Sequence, residues 1–236
     1  MNAIETMSYE FRGVLEKFSA APAFLMLKRG TFTVSHYKAV LGEIYHYAKE
    51  DPQIQALATV YFRGEDRNMV KIFFKHALSE VGHDIMALED LKALGEDVSQ
   101  TPLKNPLPST VALTAFPFYQ ISYRNPIGYL GYLYFLEFMP THIGSGMSNA
   151  LTAIGIPDRA MRFLREHMTV DMSHNKLMEE YLRRLIRNQE DLSAAIYAMR
   201  VTGSLYASML QGAIETAHSP YDYGLSFEEA VRTVAR

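Results

Sequence analysis

The chain has 236 residues, of which 48% are hydrophobic and 21% charged, with a formal net charge of −3. This is the balance of a soluble globular protein with a substantial core, and the lack of a basic excess or of a Lys/Arg cluster with interleaved aromatics argues against nucleic acid or an anionic membrane as partner. There is no cysteine, which excludes disulfides, thiolate metal sites and a cysteine nucleophile.

Hydrophobic spacing predicts helices nearly throughout. The first covers about 4–19 and is closed by AAPA; the second covers about 34–49, with Ser35 near its start. A stretch at 52–62 opens on Pro52, which suits a first helical turn. The next helix starts near Asp66, extends to Leu94 and is stopped by Gly95. Residues 96–109 hold three prolines and read as the clearest loop. Further helices are expected over about 110–124, 126–153, 157–188 and 190–217, with another candidate at 226–235. No useful strand alternation, fixed-period repeat or convincing linker interrupts the chain, so a single all-α domain is expected over 1–236. The apolar runs are too short to span a membrane. The N-terminal MNAIETMSYEFRG lacks the basic-then-apolar form of a signal peptide, so a cytoplasmic location is expected.

Two short stretches repeat one arrangement of metal-binding side chains. HALSEVGH places His76, Glu80 and His83 at i, i+4 and i+7; HMTVDMSH places His167, Asp171 and His174 at the same intervals. On a helix these positions share a face, so each stretch can aim two imidazoles and a carboxylate at one point. Imidazole and carboxylate together suit iron, manganese or zinc. Between the triplets, GYLGYLYFLEFMPTH carries Glu137 as the one charge in an apolar run. Burying that carboxylate is costly unless it is paired or metal-bound, which makes it the candidate bridge between two ions.

These segments resemble the haem-oxygenase-like diiron oxidases and oxygenases, the iron-containing redox enzymes. SEVGHDIMALEDLKALG is similar to their Glu-x2-His helix, YLYFLEFMPTHIGSG to their helix with one buried Glu, and LREHMTVDMSHNKLMEEYL to their His-x3-Asp-x2-His helix, in the same order. EIYHYA resembles a Tyr-His-Tyr element of the same proteins, and the likeness spans about 34–185. It implies a haem-oxygenase-like helical bundle and six ligands: Glu80 and His83 on one iron, Glu137 bridging, and His167, Asp171 and His174 on the other. It further implies two iron ions, whose places manganese or zinc could take in isolated protein. O2 and an amino-acid-like or fatty-acid-like substrate would be the small-molecule partners, and a homodimer is a candidate. Haem is not expected, because true haem oxygenases use a histidine near the N-terminus and the first here is His36, in another context.

His76 fits the spacing, but the family's helix supplies one Glu and one His, so His76 is read as a neighbour of the site. His46, with Tyr45 and Tyr47, is read as bordering the pocket. Phe116, Phe118, Tyr119, Tyr123, Phe135 and Phe138 are expected to line it, from their closeness in sequence to Glu137. Gly144 and Gly146 either admit a ligand or mark a close helix crossing. Two other functions compete: a metal-free thiaminase-II-like or cofactor-biosynthesis-type enzyme or binding protein, and a structural helical protein with a vestigial site. The missing cysteine argues against thiamine hydrolysis.

Overall fold

Local sequence signals place each helix end in a computed structural model that describes residues 2–217, with the backbone alone described at 100, 102, 103 and 170–173. Helix α1 (Ala3–Ser19) starts at a capping box: Asn2 Oδ1 accepts from the Glu5 amide and the Glu5 carboxylate accepts from the Asn2 amide, both at 3.0 Å. Its buried residues Met7, Phe11, Val14 and Phe18 follow helical spacing. The AAPA segment, expected to end a helix, instead starts another. Pro22 occupies the first turn of α2 (Pro22–Lys28), where its missing N–H is harmless. Thr33 caps α3 (Val34–Ala48), and His36 Nδ1 accepts from the Thr33 amide, so His36 is used as a capping residue.

After α4 (Asp51–Ala58) and two 3-10 turns, α5 (Arg67–Glu80) ends two residues before Gly82. The single helix expected from Asp66 to Leu94 is therefore two. Val81 is extended and Gly82 has φ +99°, a left-handed conformation that costs a residue with a Cβ about 1–2 kcal/mol. Helix α6 then runs from His83 to Ala93. Helix α7 (Pro108–Tyr123) follows a loop that contains a 3-10 stretch. The long helices α8 (Tyr129–Ala153), α9 (Arg162–Leu185) and α10 (Gln189–Thr216) complete the described fold. The expected helix at 226–235 lies outside the described residues.

Helix α8 runs through the core, packed along α9 and α10, while α3 packs on α6 and α10 and α5 packs mainly on α4. The α8–α9 crossing is close. A Cβ on Gly144 would lie 2.5 Å from Met168 Cγ, so this glycine serves helix packing. Among the described residues there is no strand, and no helix is long and apolar enough to cross a membrane.

One contact fixes the helices of the site to each other. Met161 precedes α9 without a side-chain cap; fully buried Asp90 of α6 supplies it, accepting from the amides of Arg162 at 2.9 Å and Phe163 at 3.0 Å. A carboxylate seven residues past His83 thus sets the start of the helix that carries His167 and His174.

Candidate metal centre

Helices α5, α6, α8 and α9 bring most of the expected ligands together. Buried Glu137 projects from α8 toward α5 and α9, with Oε1 2.8 Å from His76 Nε2 and Oε2 3.0 Å from His174 Nδ1. The two histidine nitrogens lie 3.2 Å apart, and Glu80 Oε1 is 3.5 Å from His174 Nδ1 and 3.8 Å from His76 Nε2. Each ring nitrogen carries at most one proton. Hydrogen bonding can therefore serve only one contact at each nitrogen, whereas one cation among them would serve all four residues.

Ligand-capable atoms of His76, Glu80, Glu137 and His174 lie within 4.8 Å of one another, as do those of Glu80, His83 and His167. Glu80 belongs to both groups. His83 Nδ1 is 2.7 Å from Glu80 Oε2 but lies off the line a hydrogen bond needs, so this buried nitrogen has no hydrogen-bond partner. Lone pairs that meet at short distance without bonding are what a shared metal requires. The donor set of nitrogen and carboxylate oxygen fits iron without further side chains.

Neighbouring groups orient the rings. His76 Nδ1 is 3.3 Å from the Tyr181 hydroxyl, and His167 Nδ1 is 2.7 Å from the Phe163 carbonyl oxygen, which leaves the other nitrogen of each for the group. The electrostatics are those of an anion held among imidazoles. Burial alone would raise the Glu137 pKa, but hydrogen bonds from His174 and His76, with their charges, outweigh it and hold the value at about 2. Burial lowers the His174 pKa, yet its hydrogen bond to Glu137 and the charges of Glu137 and Glu80 carry it above its usual value. His167 is pushed down, first by burial and then by His83.

The grouping differs from the expected one in three ways. His76, expected beside the site, has its ring nitrogen among the ligand-capable atoms. Glu80 is the shared carboxylate, where Glu137 was expected to bridge. His167 and His174, expected on one ion, fall in different groups, because seven residues of helix advance about 10 Å. The Asp171 side chain lies outside the described residues.

An apolar cavity of about 110 Å3 adjoins the cluster, with Glu80, His83, Glu137 and His167 on its wall. From α8 it takes Tyr129, Leu133, Leu136, Pro140 and Met147, residues that share a face with Glu137 at helical spacing. Nearness in sequence was the wrong guide. Phe138 lies about 100° round the helix from Glu137, on the side away from Leu133, Leu136 and Pro140, and stacks on Tyr134. Phe135 packs on Phe18, while Phe116, Phe118, Tyr119 and Tyr123 belong to α7, where Tyr119 and Tyr123 stack on the exposed surface. None of these six lines the cavity. Of the Tyr45–His46–Tyr47 element, Tyr47 lines it; Tyr45 and His46 do not. Glu43, next to that element, instead ties α3 to the start of α7, accepting from the Leu107 amide and the Thr110 hydroxyl. Asp51, Gln55 and Tyr206, which the sequence reading did not single out, also line the cavity. The i, i+4 spacing of Asp51 and Gln55 on either side of Pro52 was the available signal.

With fold and geometry in hand, residues 38–206 match the family described as iron-containing redox enzymes. The chain belongs to that family. No curated protein matches the sequence. Among solved structures, a domain of unknown function with a haem oxygenase-like fold from Shewanella denitrificans OS217 superposes with a TM-score of 0.85. It is 24% identical, over 95% of this chain and 98% of that one. A TenA homologue from P. horikoshii OT3 (TM-score 0.70, 13% identity, 91% and 99% coverage) and one from Pseudomonas syringae pv. tomato DC3000 (0.74, 10%, 90% and 93%) share the fold. This family member thus has the all-α haem-oxygenase-like fold that its motifs implied.

Proposed function

We propose that the chain, as one haem-oxygenase-like domain, is a non-haem oxidoreductase that holds two metal ions, iron in the working protein, and turns O2 on a small organic molecule in the adjoining cavity. The observation that carries this reading is the convergence of His76, Glu80, Glu137 and His174, with Glu80 common to a second group that includes His83 and His167. Asp171 joins the proposed ligand set from its spacing between His167 and His174, and His76 joins it from its geometry. Membership of an iron-containing family supports iron over manganese or zinc.

Bound there, two ferrous ions would supply two electrons to O2 and template its reduction. The protein's part is distinct. Glu137, ionised at neutral pH, and Glu80 balance the positive charge of the ions. Tyr181 and the Phe163 carbonyl fix the rings of His76 and His167. The apolar wall keeps bulk water from the reacting centre. The apolar wall suits a hydrocarbon chain such as that of the fatty-acid-like class.

Anaerobic loading of the full chain with Fe(II), followed by elemental analysis, is expected to give about two irons per chain and a transient visible absorbance on exposure to O2. One iron or none per chain overturns the proposal. Chelated protein that binds no metal yet takes up a small organic ligand would favour the metal-free TenA-like alternative.

A further inference from the structure

The cavity wall carries a second polar feature that metal binding does not use. Asp51 and Gln55 stand one helical turn apart on α4, on the same face, and both line the cavity. Asp51 sits in the first turn of its helix, where a carboxylate could cap free amides, yet α4 has no side-chain cap. Its Oδ1 instead accepts from the Tyr132 hydroxyl at 2.6 Å. Gln55 is 1% exposed, and its amide nitrogen has no hydrogen-bond partner. Buried donors are normally paired, so an orphan amide on a cavity wall points to an acceptor that arrives with a ligand.

We propose that Asp51 and Gln55 form the substrate's polar subsite, specific for an uncharged oxygen acceptor, a carbonyl or hydroxyl oxygen, on an otherwise apolar molecule. This rests on the reading of the cavity as the substrate site. Three observations select that chemistry. The orphan group is a donor, which an ammonium ion cannot satisfy. Among the described residues no Lys or Arg lines the cavity, so a carboxylate here would meet Glu80 and Glu137 with no cation from the chain beyond imidazole. Most of the rest of the wall is apolar, including Phe24, Leu27, Leu41, Leu210 and Ile214. Burial above all pushes the Asp51 carboxyl well up, against the pull of the Tyr132 hydrogen bond, and this favours the neutral form with its O–H as a second donor beside Gln55. Glu80 and Glu137 are near enough to act on Asp51, which sets the subsite beside the metal centre. A substrate held by its oxygen here presents the neighbouring carbons to that centre.

The test compares three probes of one chain length, 2-heptanone, heptylamine and heptanoate, by calorimetric titration of the full chain, with iron content measured on the same samples. Wild type is expected to bind 2-heptanone most tightly when metal-free. Gln55→Leu should weaken the ketone about tenfold or more while iron stoichiometry stays unchanged. Gln55→Glu, of nearly the same size, should lose the ketone and gain heptylamine, which covers the case in which Gln55→Leu folds poorly. Tighter wild-type binding of the amine or the carboxylate, or a Gln55→Leu protein with the ketone preference intact, overturns the subsite. The two readings fail separately: a ketone preference without iron binding sinks the metal proposal alone, and iron binding without a ketone preference sinks the subsite alone.

Discussion

The two histidine triplets look alike in sequence and are built differently. His167 and His174 sit on unbroken α9, and the rigid helix keeps them about 10 Å apart, so each serves a different group of ligand-capable atoms. His76, Glu80 and His83 span the break between α5 and α6. There the turn at Gly82 brings His83 back onto Glu80, and Glu80 reaches both groups. A continuous helix separates ligands; a broken one gathers them. The shared carboxylate therefore stands at the break.

The largest effect should come from removing that shared residue. Glu80→Ala is expected to abolish binding at both proposed metal positions. His174→Ala should remove the ion of the four-residue group and His167→Ala the other, each leaving about one iron per chain by elemental analysis. If Glu80→Ala and His167→Ala lose the same single ion, the sharing is wrong and Glu137 regains the bridging role.

Asp90 tests how the two triplets are held together. Asp90→Ala removes two buried hydrogen bonds to the first amides of α9 and leaves those donors unpaired. The loss should be about 2–3 kcal/mol by denaturant titration. Asp90→Asn keeps one acceptor and should recover part of it. An unchanged midpoint for Asp90→Ala would mean that α9 is placed by its packing on α8, α6 and α1 without the cap.

Gly82 tests the break itself. A Cβ there meets nothing within 4 Å, so Gly82→Ala isolates backbone strain at φ +99° and should cost about 1–2 kcal/mol. Gly146→Ala, within α8 and equally uncrowded, should stabilise by about 0.5–1 kcal/mol. Equal effects at the two positions would show that the turn carries no strain and that α5 and α6 can straighten.

How much of this was legible follows from what each signal encodes. The helical pattern and the ligand segments were readable because apolar spacing and side-chain type are written directly in the sequence. The break at Gly82 was not, since a glycine inside a helical pattern does not declare a positive φ. Helix α2 was missed because Pro22, a first-turn residue, was read as part of a terminator. His76 was set aside through likeness to a family pattern, although its spacing from Glu80 and His83 was the original clue. The cavity wall was sought among aromatics close in sequence to Glu137, while the helical repeat through Leu133, Pro140 and Tyr129 held the answer. Asp51 and Gln55 reach the wall from α4, and no local pattern at Glu137 could name them.

A pH-dependent effect concerns the support beneath the broken triplet. Helix α3 packs on α6, and its His46 is 5% exposed with Nδ1 unpaired. Burial, with Lys49 close by, lowers its pKa to about 4. Between about pH 6.5 and 4 the unfolded chain binds a proton at His46 that the folded chain refuses. Stability therefore falls as pH drops through this window, and the loss is complete once pH reaches the folded value. Discounted for solvent screening, it should amount to about 1–2 kcal/mol. His46→Phe keeps the ring volume without the titration, so its denaturation midpoint should fall less steeply than wild type over the same window. Parallel slopes would place the acid sensitivity at the metal ligands of α9 and Glu137, and so on the unbroken side of the site.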